Sequence, residues 1–546
     1  MKKNSFIEGT IISYIVILLT KVLGAVYVIP FYKIIGETGG VLYSYAYNVY
    51  NVFLDISTSG IPIAVSIIIA EYNTLKMYNE REYTYKIANK LIFVISVLSF
   101  FIMYNAAPFL AKFFIGNIEN GNDIDSISLV IKVISFCLLI IPFLSVVRGY
   151  LQGNKYAANS SYSQLIEQAT RIIVVLLGSY IAINLLHKSI LLGVSVALSG
   201  TVLGGVFAFI YLKYKIYKNK DDFIKDVDDT KELKTTEKET VNKIIKVAIP
   251  IVIISITQNI YNMIDLRLII KGLYIIGYTA YDCELIGSII ITWGSKICML
   301  INALATGMCI SIIPFIVNSY VKKDKKELNL KINQAINTIL YISVPLALYI
   351  IIFSKPVYYI FYGNSEYGTI CLKVLAIVSI LFTLQLVINM ILQSMQKYKI
   401  VYINTFVGVI LNTILDIPMV LLLNKFNFYP YIGSMVSTII SQIISILIAL
   451  TCMKKEYKFS YRSILNTIYK MIIPLIVICG LSLIVNKYIF NVKELSNYLM
   501  VFISLAVIGI IYVLIYILFT YKNNLIVEVF NKNIIDKVKS ILHRKK

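Results

Sequence analysis

The chain has 546 residues, of which 58% are hydrophobic and 15% charged, with a formal net charge of +22 and a mean hydropathy of +0.78. A soluble globular chain is about one-quarter charged, so this chain has too little polar surface to cover a water-soluble body. The two histidines, His187 and His543, and the seven cysteines show no metal-ligand or disulfide spacing, which argues against a zinc site, a disulfide framework and histidine-dependent catalysis.

Apolar runs such as Ile11–Leu19, Leu91–Met103 and Val501–Phe519 each sit in a stretch of about 20 residues with few charges, the length a helix needs to cross roughly 30 Å of hydrocarbon. Backbone groups in lipid must be satisfied within the segment, so these runs are predicted to be helices. The first continues past Pro30 and Phe31 with no small-residue cleavage site, and reads as a retained span and not a signal peptide. Spans are predicted at 6–34, 41–70, 87–111, 127–151, 159–186, 189–215, 245–271, 285–317, 332–360, 368–395, 399–423, 430–453, 465–487 and 497–520. The fold class is an all-α integral membrane protein of about 14 transmembrane helices. Two pseudo-repeated six-helix lobes, 1–215 and 244–453, flank a linker at 216–243. Spans 13 and 14 (454–521) and a basic tail (522–546) follow.

The connections alternate in charge. The N-terminus, the loops near 71–90, 148–158, 212–246, 318–332, 395–400 and 453–470, and the tail hold 37 of the 51 Lys and Arg. The opposite side holds 10, and the last 4 lie inside spans. Basic residues collect in cytoplasmic loops, so both termini are expected in the cytoplasm of a plasma-membrane protein. The same rule accounts for the net charge without nucleic acid. The linker mixes both charge signs and reads as solvated. In the tail, Leu525, Ile526, Val529, Phe530, Ile534, Ile535, Val538 and Ile541 alternate with basic residues, which predicts an amphipathic helix lying on an anionic leaflet.

The halves look duplicated. Leu151-Gln152-Gly153-Asn154-Lys155-Tyr156 closes span 4, and Leu392-Gln393-Ser394-Met395-Gln396-Lys397-Tyr398 closes span 10. Ser59-Gly60 in span 2 is similar to Thr306-Gly307 in span 8. The separations are 241–247 residues, and internal repeats are a transporter signature. No GxxxxGK[ST] motif occurs, so energy is expected from an ion gradient, the membrane potential or the substrate gradient.

Ionisable groups at mid-membrane are expensive and mark function by default. Lys21 and Lys296 both fall near the bilayer centre. Lys21 has an alternative partner in Asp55, at similar depth. Glu167 and Arg171 are one turn apart in span 5 and can neutralise each other; a substrate role for Arg171 is the competing reading. Asp265 lies in span 7, Asn412 and Asp416 share a face of span 11, and Thr438 lies in span 12. Two carboxylates, an amide and a hydroxyl are hard oxygen ligands suited to an alkali cation. The competing reading is an Asp265–Arg267 ion pair.

The stretches Gly9-Thr10, Thr20-Lys21-Val22-Leu23-Gly24, Val28-Ile29-Pro30-Phe31, Leu42-Tyr43-Ser44-Tyr45 and Ser59-Gly60-Ile61-Pro62-Ile63-Ala64-Val65-Ser66 resemble the polysaccharide and oligosaccharide flippase branch of the multidrug/oligosaccharidyl-lipid/polysaccharide (MOP) superfamily. Its stage V sporulation protein B-like and MurJ-type lipid II flippases are the nearest in pattern. The resemblance implies a non-enzymatic secondary transporter with a cavity open alternately to each side. Its substrate would be an undecaprenyl-diphosphate-linked glycan for cell-wall or spore-wall synthesis. It further implies that Lys21 and Lys296 meet the diphosphate; Asp55 and Arg171 are counted as substrate-site candidates from their positions inside the spans. Asp265, Asn412, Asp416 and Thr438 would bind sodium, no other cofactor being required. Family members carry arginines near Leu54-Asp55, and this chain departs from them there. Membrane lipids and envelope-synthesis proteins are the expected partners. A multidrug cation antiporter and a non-transporting envelope scaffold are the rival readings.

Overall fold

The structure, a computed structural model, describes residues 16, 19–116, 121–220, 223, 233, 235–310, 312–489 and 498–530. None of the described residues forms a β-strand, and 13 helical segments are long and apolar enough to cross a membrane. In chain order the helices are α1 Val28–Thr58, α2 Ile61–Thr74, α3 Tyr78–Ile115, α4 Ile124–Gly153, α5 Ala157–Leu185, α6 Ile190–Lys218, α7 Glu237–Ile275, α8 Ala280–Ala303, α9 Lys325–Ile352, α10 Glu366–Ser394, α11 Tyr398–Lys425, α12 Pro430–Tyr457, α13 Arg462–Ile489, α14 Tyr498–Lys522 and α15 Leu525–Phe530. The chain is an all-helical integral membrane protein, and α3 to α14 fall on predicted spans 3 to 14. Predicted spans 1 and 2 meet within α1 at Gly36, whose φ of 64° is left-handed and open to glycine at no steric cost. The beginning of span 1 lies outside the described residues.

The chain forms two compact units, Met1–Ile291 and Thr292–Lys546. The first holds α1 to α7 and the start of α8; the second holds the rest. The division therefore falls within α8. Of the 216–243 linker, Phe223 is buried in the first unit, its ring 5.5 Å from Tyr150 and 5.2 Å from Tyr156.

The duplication is visible in the turns. Lys155 and Gln396 are left-handed, with φ of 67° and 59°. Tyr156 N donates to Leu151 O at 2.8 Å, and Lys397 N donates to Leu392 O at 2.8 Å. A second pair, Lys76 and Lys323, has φ of 57° and 56°. There Met77 N donates to Tyr72 O at 2.9 Å and Asp324 N to Ser319 O at 3.0 Å. These six-to-one bonds are Schellman closures of a helix end. A non-glycine residue in the left-handed region is uncommon, so its recurrence at matched offsets is a structural echo of the LQ…KY repeat.

In the second unit, tyrosine hydroxyls join α14 to α9. Tyr512 donates to Pro345 O at 2.8 Å and Tyr349 to Leu505 O at 2.7 Å. Leu525 and Val529 of α15 are fully buried in the same cluster as Tyr341, Met471 and Tyr516. This opening stretch of the tail docks on protein; it does not present its apolar face to a leaflet as expected. Residues 531–546 of the tail lie outside the described residues.

Candidate functional site

In the first unit the charged groups settle by interhelical packing. Helix α6 crosses α5 at Gly204, where an added Cβ would stand 2.6 Å from Glu167 O. Small residues allow such close approach within a membrane. Glu167 then pairs with α4 and not along its own helix: Arg148 Nη2 donates to Glu167 Oε2 at 2.8 Å, and Arg148 Nε donates to Ser163 Oγ at 2.8 Å. The predicted Glu167–Arg171 neutralisation is thus not made as a direct pair.

Arg171 donates through Nη2 to Gln168 Oε1. Its Nε and the Gln168 Nε2 are buried without a hydrogen-bond partner among the described residues. Lys21 lies within electrostatic reach of the Arg171 guanidinium. The helix carrying Lys21 runs close to α5, since a Cβ on Gly24 would stand 3.4 Å from Gln168 Nε2. Tyr27, Tyr43 and Tyr47 stand near the same guanidinium, and Tyr43 and Tyr47 stack with ring centroids 5.4 Å apart. The result is two cations and two unspent N–H donors beside an aromatic wall, a setting that favours an anion rich in acceptor oxygens.

Asp55 is not paired with Lys21. Its carboxylate accepts from Asn259 Nδ2 of α7 at 2.6 Å. Arg267 is not paired with Asp265 either; its guanidinium sits over the Phe113 ring, 4.2 Å from the centroid. Asp265 itself is 4% exposed and belongs to the first unit.

A π-helical turn, Ile289–Trp293, leads into the segment of α8 that carries Lys296 in the second unit. Single π-turns inside α-helices are frequent at functional positions. Lys296 Nζ is buried and lies 4.2 Å from the centroid of the Trp293 ring. Trp293 is fully buried, and its carbonyl accepts from Tyr362 OH at 2.7 Å.

The predicted cation ligands of α11 and α12 come together with one addition. Asn412 Nδ2 donates to Asp416 Oδ2 at 3.2 Å. Ser437 Oγ lies 3.0 Å from Asn412 Oδ1, 2.7 Å from Ser434 O, and in contact with Asp416 Oδ1. Thr438 Oγ1 donates to Ser434 O at 2.9 Å. A hydroxyl carries one proton, yet three acceptor oxygens converge on Ser437. That surplus of hard oxygen atoms around a buried carboxylate fits an alkali cation. Ser437, which sequence reasoning did not single out, stands beside Thr438 in this cluster; its contact with Asp416 depends on how α12 is rotated against α11. No cluster of three or more His, Cys, Asp or Glu side chains suited to a metal occurs among the described residues.

A duplicated bundle of apolar helices with charges held inside its spans defines a multi-pass membrane transporter, not an enzyme. The chain belongs to the polysaccharide biosynthesis protein family, whose model matches residues 6–282, with a MatE match at 288–417, and so to the flippase branch of the MOP superfamily. It is 30% identical over 426 residues to the lipid II flippase MurJ of Bacillus subtilis (strain 168), covering 77% of this chain and 78% of the relative. It is 21% identical over 422 residues to stage V sporulation protein B of the same organism, covering 76% and 77%. Among solved structures, an inward-facing multidrug resistance MATE transporter matches with a TM-score of 0.64, 14% identity, and coverage of 82% of this chain and 98% of that one. Lipid II flippase MurJ in an inward closed conformation matches with a TM-score of 0.59, 16% identity, and coverage of 94% and 99%.

Proposed function

We propose that the chain flips an undecaprenyl-diphosphate-linked glycan, lipid II or a related wall precursor, from the inner to the outer leaflet by alternating access. The observation that carries this reading is the Arg148–Glu167 pair, which leaves Arg171 and Lys21 as adjacent cations in the first unit. A diphosphate supplies negative charge beside the two cations and acceptor oxygens for Arg171 Nε and Gln168 Nε2. At a low effective dielectric such contacts far exceed their value at a surface. Within the second unit, taken by itself, Lys296 is a separate cation offered to phosphate. Its seat over Trp293 offsets part of the cost of burying an ammonium. The apolar faces of α13 and α14 suit the lipid tail.

The orientation follows from the 37-to-10 split of basic residues, which sets both termini in the cytoplasm of a plasma-membrane protein. Sodium is proposed as the bound ion of the second unit, held by Asp416, Asn412 and Ser437, with Thr438 alongside. When bound, it would supply positive charge to a buried carboxylate and bias the conformational equilibrium.

The test is an outer-leaflet accessibility assay for lipid II in cells depleted of this protein and of any redundant flippase. Lipid II should accumulate inside, and complementation by the wild-type chain should restore its exposure. Unchanged exposure after depletion would overturn the substrate assignment. A drug-efflux panel on the same strains separates the multidrug reading.

A further inference from the structure

Each unit builds the same helical framework, and the two copies carry different charges. The left-handed turns at Lys155 and Gln396 lie 241 residues apart, and the same offset relates the contacts beyond them. In the first unit Arg148 Nε of α4 donates to Ser163 Oγ of α5 at 2.8 Å. The positions 241 residues further on are Asn389 of α10 and Asn404 of α11, and Asn404 Nδ2 donates to Asn389 Oδ1 at 2.9 Å. The next crossing matches as well. A Cβ on Gly204 of α6 would stand 2.6 Å from Glu167 O of α5, and a Cβ on Gly408 of α11 would stand 2.5 Å from Ser445 Oγ of α12. Glu167 and Gly408 share the 241-residue offset, as do Gly204 and Ser445. Helices packed through the same positions present the same faces, so Arg171 and Asn412, one turn further along, are equivalent.

The side chains on this framework differ in charge. In the first unit Glu167 is engaged by Arg148, and Arg171 follows as a second cation. The residues beyond it, Val174–Gly178, form a π-helical turn with no charged side chain. In the second unit Asn389, Asn404, Gly408 and Asn412 are all uncharged. The charge on that face is the carboxylate of Asp416, 1% exposed and one turn beyond Asn412, with Asn412 Nδ2 and Ser437 Oγ against it. A carboxylate buried within a membrane span is stabilised by a positive charge. The first unit carries its positive charge covalently, and a guanidinium is always protonated.

Given the ion site proposed above, we infer that residue 412 determines the ion dependence of this protein. The amide of Asn412 leaves the cation of the second unit to be taken from solution, at the place where the first unit holds its own on Arg171. The first unit therefore offers its charge to substrate at any sodium concentration. The charge of the second unit comes and goes with the ion, so coupling to a sodium gradient resides there.

The test is the melting temperature of the full-length protein in detergent, in sodium chloride against potassium chloride at equal ionic strength. The wild type should gain with sodium. Asn412→Leu, which removes the amide oxygen at similar volume, should need about tenfold more sodium for the same gain. Asn412→Arg, the residue of the first unit, and Asn412→Lys, which places a smaller cation head there, should lose the sodium response. In potassium chloride both should melt higher than Asn412→Leu, because the tethered cation meets Asp416. Adding Asp416→Asn should then lower the melting temperature of the Asn412→Arg protein, whereas in the wild-type background without sodium it should not; the reversal of sign reports the new pair. A sodium response retained by a folded Asn412→Arg or Asn412→Lys protein would overturn the inference. So would charged variants that melt no higher than Asn412→Leu in potassium chloride, or that fail to fold where Asn412→Leu folds. A wild type indifferent to sodium is a separate result, and would overturn the ion site itself together with this role for residue 412.

Discussion

Arg148 and Glu167 stand 2.8 Å apart, with 13% and 18% of their side chains exposed. They come from α4 and α5, and their contact prevails over the one-turn spacing of Glu167 and Arg171. An i,i+4 pair on a single helix contributes only about 0.2–0.5 kcal/mol. Arg148 offers a charge-assisted bond to the carboxylate and a second bond to Ser163, a geometry that a partner on the same helix does not match.

Exchange of roles between the two arginines follows. Glu167→Gln should lower stability by roughly 2–3 kcal/mol, the low side of what breaking a buried pair costs because both side chains keep some exposure. Flipping per folded molecule should be little changed. Arg171→Ala should do the opposite, with near-normal melting and flipping reduced about a hundredfold. A reconstituted lipid II flipping assay normalised to folded protein, together with thermal melts, separates the two. A destabilised but fully active Arg171→Ala protein would remove the phosphate role.

Lys21 and Asp55 should behave independently. Asp55 is held by Asn259 at 2.6 Å, so removing it frees no partner for Lys21. The double variant Lys21→Ala with Asp55→Ala should show the sum of the single effects, within about 0.5 kcal/mol in activation free energy. Recovery of activity in the double variant would show a direct pair instead.

The spans were legible because lipid imposes a length and an apolar composition that few other folds require. The LQ…KY repeat was legible because Lys155 and Gln396 close equivalent turns. Partner choice was not. Spacing reports which residues share a helix face, but Glu167 chose between two arginines on different helices, and Arg267 chose the Phe113 ring over Asp265. Those outcomes depend on how closely helices approach, as at Gly204. Ser437 joins the Asn412–Asp416 cluster for the same reason: its contact with Asp416 depends on how α12 is rotated against α11, which spacing does not report. The apolar residues of α15 were read as lipid-facing because periodicity gives an apolar face without saying what covers it.

Lys296→Ala should abolish flipping, and Lys296→Arg should retain part of it. Arginine keeps the charge and stacks on an indole, but its planar fork presents donors differently from an ammonium. Trp293→Leu should weaken function less than Lys296→Ala, since a cation–π contact in a desolvated site contributes about 2 kcal/mol. Complementation of a conditional flippase mutant, with expression checked, measures all three. Full growth with Lys296→Ala would remove the second unit's phosphate contact.

The oxygen cluster on α11 and α12 yields the most direct test. Asp416 and Asn412 are each 1% exposed, and three acceptors converge on the single proton of Ser437. If sodium occupies that cluster, it binds the folded state and not the unfolded one. Sodium chloride should therefore raise the melting temperature relative to potassium chloride at equal ionic strength. The gain should follow the logarithm of sodium concentration, reaching about 2.7 kcal/mol at a hundred times the dissociation constant. Asp416→Asn removes a buried charge, so its stability without sodium should equal or exceed that of the wild type, while its response to sodium disappears. Ser437→Ala should weaken the response without abolishing it, because the carboxylate and the Asn412 carbonyl remain. A wild-type melting temperature indifferent to sodium, or a full sodium response in Asp416→Asn, would exclude these residues as the ion site.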